Sequence, residues 1–204
     1  MKPTVSNQSI AIWEKIYELI KDENSELKLQ VLLQIGKSYQ VLGKNDKALQ
    51  IYDMVLEESI NYKDLRYAIK SKTYKGEIFL RRNEIYEAEK EAVESNKISK
   101  ETGYIDGLIE SRILLIKVCM SKDEIIKGLK ISNQVLELIE ENQKAEFLGP
   151  IYNQMGIIFY LKGDMESSKE LYQKSIDSYQ DTEEFIESVR SEERRVGKEC
   201  RSRW

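Results

Sequence analysis

The stretch from Val31 to Glu58, VLLQIGKSYQVLGKNDKALQIYDMVLEE, decides how the rest of the chain is read. In it Gly36 is followed by Tyr39, Gly43, Ala48 and Tyr52. Forty residues further on stand Gly76, Phe79, Asn83, Ala88 and Ala92, and then Ile116, Cys119, Asp123, Gly128 and Ser132. A fourth step reaches Gly156, Phe159, Gly163, Ser168 and Tyr172. The register holds through four copies without an insertion, and self-similarity at a period of this length marks an array of supersecondary units.

Each slot has a physical reading. Gly36, Gly76, Ile116 and Gly156 are expected on a first helix where its partner approaches closely, a missing Cβ permitting the contact. Ala48, Ala88, Gly128 and Ser168 are the small counterparts on the second helix. Tyr39, Phe79, Cys119 and Phe159 share the first slot's helical face and fill the hairpin core. Gly43, Asn83, Asp123 and Gly163 fall in the turn, where residues tolerant of a left-handed backbone end one helix and start the next. Helix pairs are expected over about 26–42/45–60, 64–81/85–101, 105–120/124–141 and 146–161/165–180.

These residues, in IGKSYQVLGKNDKALQIY and MGIIFYLKGDMESSKELY above all, resemble the tetratricopeptide-repeat family over residues 24–181. The departures are a period of 40, no early Trp and no late Pro, since Ile60, Lys100, Glu140 and Gln180 stand at the latter position. Repeat 3 is degenerate, and the long period resembles the subgroup found in bacterial regulators. The resemblance implies an all-α, right-handed superhelix of antiparallel helix pairs with repeats at 24–63, 64–103, 104–143 and 144–181. It also implies a concave face, lined by the first helices, that binds a partner.

Working outward, QSIAIWEKIYELI places Ile10, Ile12, Trp13, Ile16, Leu19 and Ile20 mostly at helical spacing, so residues 1–23 are read as an N-terminal packing helix. At the other end DTEEFIES looks like the start of a fifth repeat over 182–189. The core glycine it requires would fall at Val196, with Gly197 one residue out of register. From Arg190 the chain reads RSEERRVGKECRSRW and loses the apolar stripe. That segment resembles the in-frame translation of a short-read sequencing adapter. Residues 190–204 are therefore expected to be non-native and are set aside from function, as a fusion scar would be.

Composition narrows the chemistry. The chain is 33% charged and 41% hydrophobic with two prolines, which suits a helical protein. The tail holds six basic and three acidic residues, so the formal charge of −4 for the whole leaves −7 on residues 1–189. An acidic body argues against binding nucleic acid through its phosphates. No run of 18 apolar residues spans a membrane and no signal-like stretch opens the chain, so the cytosol is the expected compartment. Histidine is absent, which removes the commonest general acid–base and the commonest metal ligand. No P-loop, dinucleotide fingerprint or nucleophile motif occurs. Cys119 and Cys200 match no zinc spacing, and Cys119 occupies a core slot as an inert thiol. The reading is therefore non-catalytic, without cofactor or metal. Glu57–Glu58, Glu140–Glu141, the Lys-Ser-Lys cluster at 70–72 and Arg81–Arg82 are read as solvated helix faces.

Carried over by register, the family's groove positions are Gln30, Leu33, Lys37 and Gln40 in repeat 1, and Lys70, Thr73, Glu77 and Arg81 in repeat 2. Repeat 3 supplies Glu110, Ile113, Lys117 and Met120, and repeat 4 Asn153, Ile157 and Tyr160. Basic Lys37, Lys70, Arg81 and Lys117 outnumber acidic Glu77 and Glu110, which suits an extended peptide with acidic side chains or a free C-terminal carboxylate. The family's chaperone-binding branch uses a Lys and an Asn where Leu33 and Lys37 stand, so that clamp is not present in the same form. Asn153 is a candidate reader of peptide backbone amides. The expected function is a scaffold that binds a protein or peptide in its groove. The alternative is the sensory region of a larger bacterial signalling protein, with a diguanylate cyclase, histidine kinase or transcriptional regulator as output.

Overall fold

The computed structural model describes residues 7–23 and 25–179, so the start of a fifth repeat and the tail from Arg190 lie outside the described residues. Contacts divide the chain into two units, the first ending at Ile131 and the second beginning at Ser132.

The first unit contains α1 (Asn7–Ile20), α2 (Glu26–Val41), α3 (Asn45–Tyr62), α4 (Leu65–Arg81), α5 (Ile85–Thr102) and α6 (Ile105–Ser121). Helix α7 (Ile125–Glu141) crosses the division. The second unit continues with a 3-10 turn (Ala145–Phe147), α8 (Leu148–Leu161) and α9 (Met165–Tyr179). The helix expected from 146 starts at Leu148 because the chain first makes that tighter turn. Pro150 is tolerated in the first turn of α8, where its amide would have no intrahelical partner. No strand occurs among the described residues.

The turns repeat as faithfully as the helices. Gly43, Asn83, Asp123 and Gly163, in the turn between the two helices of each repeat, have φ of 73°, 62°, 59° and 82°. Each closes the same C-terminal cap. The amide after it donates to the carbonyl five residues back, as in Lys44 to Tyr39 at 2.9 Å, Glu84 to Phe79 at 2.9 Å, Glu124 to Cys119 at 2.8 Å and Asp164 to Phe159 at 3.0 Å. A second set of left-handed residues, Lys63, Gly103 and Gln143, ends α3, α5 and α7 in the same way. Start signals are more varied. Ser25 accepts from the Lys28 amide, Asp64 from that of Arg66 and Asp164 from that of Ser167.

Within the first unit each helix packs on the next, and the first helices α2, α4 and α6 also meet in sequence. Leu29, Ile69 and Ile109 hold equivalent buried positions in those three helices. Ala48 and Ala88 are fully buried on the second helices. The close approach expected at the glycine slot is present, Ser168 donating to the Gly156 carbonyl at 2.9 Å and the Ala88 carbonyl lying 3.5 Å from a Cβ on Gly76, and aromatic rings enter the slot as well. A Cβ on Gly36 would lie 2.5 Å from Cε1 of Tyr52, so the space it leaves is taken by an aromatic ring. In the second unit Gly156 receives the ring of Tyr172 likewise.

Tyr39 reaches beyond its expected place within the hairpin. Its hydroxyl donates to Glu14 of α1, and its ring lines a recess of about 530 Å³ bounded by α1, α2 and α3. Tyr39 thus faces the preceding helix as well. Ile10 is buried in the same core and Trp13, Ile16, Tyr17 and Ile20 pack against it, so α1 covers the first hairpin.

Candidate functional site

The candidate positions of the first unit come from three helices lying side by side. Lys37 and Gln40 are on α2, Lys70, Glu77 and Arg81 on α4, and Lys117 on α6. The stacking decides which of them meet. Lys117 Nζ lies 2.9 Å from Glu77 Oε1, a half-buried ion pair between residues one full period apart. Burial pushes the Glu77 carboxyl up, but Lys117, then Arg81 and a hydrogen bond from Gln40, outweigh it and hold the group below its usual value. Lys117 is thus engaged within the protein.

Lys37 points its ammonium at the Tyr74 ring, 4.8 Å from the centroid, in a cation–π contact. Tyr74 in turn packs on Tyr52, with ring centroids 5.5 Å apart. The Tyr52 hydroxyl donates to Gln40 Oε1 at 2.7 Å, which fixes the Gln40 amide. Burial pushes both phenols well above the usual range, and the nearby Glu77 adds to it. They are neutral hydrogen-bonding surfaces at any physiological pH.

Glu110, on α6, is the group least like its sequence reading. Its Oε2 is shut off from solvent and has no hydrogen-bond partner. Burial pushes its carboxyl up to about 7, against the opposing pull of Lys70 and Lys37, with Glu77 and Asp106 adding to the rise. Register places Glu110 on this face, but nothing in the sequence signals its burial. Tyr74 and Tyr52 were not among the candidates either. Residue 74 belongs to a slot that reads Gln34, Tyr74, Leu114 and Gln154, so no period could single it out.

Several residues read as solvated do more than that. Lys72, in the cluster at 70–72, is half-buried and pairs with Glu91 at 3.3 Å and Glu94 at 2.6 Å. Ser71 is buried and donates to the Tyr52 carbonyl. Glu58 pairs with the buried Lys28 at 2.7 Å, and Arg82 with Asp46 at 2.6 Å. Arg81 is exposed, within electrostatic reach of Glu77 and Tyr52. Cys119 is buried, and burial pushes its thiol up, away from the reactive thiolate.

Asn153 and Tyr160 belong to α8 in the second unit, where Asn153 is half-buried and Tyr160 exposed. Among the described residues no group of three His, Cys, Asp or Glu side chains could hold a metal ion, and no helix is long and apolar enough to cross a membrane.

Comparison with known proteins bears on the repeats and the fold. Two tetratricopeptide-repeat models match residues 30–59 and 149–182, the first and last copies of the period. No curated protein matches the sequence. Among solved structures the chain is similar to BtubC (BKLC) from P. vanneervenii, at 12% identity and a TM-score of 0.65, over 84% of this chain and 72% of that one. It is similar to the nearly identical TPR-like repeats of a putative kinesin light chain from Podosopora anserina, at 12% identity and a TM-score of 0.58, over 86% and 87% of the two chains. A third likeness is to MamA 41-end from Desulfovibrio magneticus RS-1, at 14% identity and a TM-score of 0.52, over 88% and 99%. At these identities the likeness concerns the fold, an all-α solenoid of helix pairs. The sequence matches identify tetratricopeptide repeats at residues 30–59 and 149–182 of that solenoid.

Proposed function

We propose that the chain is a non-catalytic scaffold that holds an acidic peptide segment against the face formed by α2, α4 and α6. One observation carries the reading. By register Lys37, Lys70 and Arg81 fall on the groove side of the first helices α2 and α4 in a chain whose body is otherwise acidic, Lys37 lying over the Tyr74 ring and Lys117 pairing with Glu77. Such a face attracts an anionic segment by charge, and Gln40, held by Tyr52, presents an amide to its backbone. The proposed face uses the candidates of the first unit, and Asn153 and Tyr160 belong to the second.

Selection from a displayed library of random peptides tests this. The protein is expected to enrich sequences rich in Asp and Glu. Lys37→Glu with Lys70→Glu should abolish the enrichment, and Lys90→Glu with Lys130→Glu, at exposed positions of second helices, should leave it intact. Equal enrichment by all three proteins would refute the assignment of this face.

A further inference from the structure

We infer that Glu77 is a tethered stand-in for a ligand carboxylate: it occupies Lys117 in the free protein, and an acidic segment docking on this face takes Lys117 from it. The inference rests on the peptide-binding reading above and adds the residue that limits its affinity.

One row of the repeat carries the argument. Lys37, Glu77 and Lys117 hold the same register position, forty residues apart, on α2, α4 and α6. These first helices meet in sequence, so the middle one sets an acid between two bases. The fourth copy has Ile157 in this row, so the acid is peculiar to the second repeat and is not demanded by the period. Its partner is Lys117, whose Nζ donates to Glu77 Oε1 at 2.9 Å, while the Lys37 ammonium lies 4.8 Å from the centroid of the Tyr74 ring.

The pair is also open to exchange. Lys117 keeps 30% of its side-chain surface exposed and Glu77 33%, so a solute carboxylate can reach the ammonium. Replacing Glu77 there substitutes one charge-assisted hydrogen bond for another, which gains the ligand little. The displaced Glu77 stays on the face as an anion and repels the same ligand. A segment with several acidic side chains offsets that cost at Lys70 and Arg81, the other basic candidates of α4, whereas a single carboxylate does not. Replacing Glu77 by its uncharged isostere removes both the competition and the repulsion.

The test is fluorescence polarisation of a labelled, N-acetylated Glu-rich peptide against the full chain and its variants at one pH and ionic strength. Glu77→Gln should bind about three- to tenfold more tightly than the wild type. Adding Lys117→Gln to it should bring the affinity back to within about twofold of wild type, because the gain resides in that ammonium. Glu87→Gln, an equal change of charge at an exposed position of α5, should leave the affinity unchanged. Equal affinity of the wild type and Glu77→Gln overturns the inference and leaves the binding face standing. A gain that survives the loss of Lys117, or that Glu87→Gln reproduces, does the same. Absence of binding by the wild type and every variant overturns the face and the stand-in together. A second measurement needs no variant. In isotopically labelled wild-type protein followed by NMR, the Glu77 carboxyl carbon should shift as unlabelled peptide saturates the face, since its lysine partner is exchanged for water. A signal that does not move sinks the proposal.

Discussion

At the scale of single residues, Glu110 couples stability to pH. Its folded-state value, about 7 against an ordinary 4.5, is raised, so the native state keeps a proton that the unfolded chain has released. Stability is therefore highest below the unfolded value, falls as pH rises between the two and levels off above the folded one. Glu110→Gln removes this loss. Urea denaturation should find the variant more stable than wild type by about 1–3 kcal/mol near pH 8 and nearly equal near pH 4. Two glycines test the turn and packing slots separately. Gly36→Ala drives a Cβ to 2.5 Å from the ring of the fully buried Tyr52. It should cost about 2–3 kcal/mol in chemical denaturation, as overpacking of a rigid core does. Gly43→Ala meets nothing within 4 Å and bears only the strain of φ 73°, about 1 kcal/mol. A larger loss at Gly43 than at Gly36 would contradict both assignments.

At the scale of elements, the second repeat replaces part of its apolar packing with charge. Where repeat 1 has Leu32, Ile35 and Ile51, repeat 2 has Lys72, Lys75 and Glu91. Lys75 lies between Asp53 at 2.6 Å and Glu91 at 3.3 Å, and Lys72 between Glu91 and Glu94, all but Asp53 and Glu94 largely shielded from water. Burial pulls the Lys75 ammonium down, yet Asp53 and Glu91 hold it above its usual value, so it remains charged. Burying paired charges gains little over apolar packing, while breaking the pair leaves uncompensated charge. Glu91→Ile alone should therefore destabilise by about 2–4 kcal/mol in urea titration. The triple change Lys72→Leu, Lys75→Ile and Glu91→Ile should recover that loss or exceed it. A triple variant as unstable as the single one would show that the network has no apolar equivalent here.

At the scale of the molecule, each hairpin depends on its neighbour. Leu29, Leu32 and Ile35 are buried under α1, whose Trp13, Ile16 and Ile20 pack on the same core. In an array stabilised by nearest-neighbour interfaces, loss of one unit weakens the adjacent one most. Removal of residues 1–23 should reduce amide-exchange protection in α2 and α3 by roughly tenfold or more and leave α9 unchanged. Uniform loss across both units would contradict this. The repeat itself was legible in the sequence because what it repeats is local. A left-handed residue at 43, 83, 123 and 163 closes a cap with amides a few residues away, and spacing within one helix decides which side chains share its face. Register named candidate positions but not their partners within the fold. That Lys117 is taken by Glu77, that Lys37 covers Tyr74, and that Glu110 Oε2 is shut off without a donor depend on how α2, α4 and α6 lie against one another. The sequence by itself determined the period and the helices. Only the tertiary structure decided which charges neutralise one another and which are denied water, because lateral distance and solvent exclusion arise from stacking and leave no mark on residue spacing.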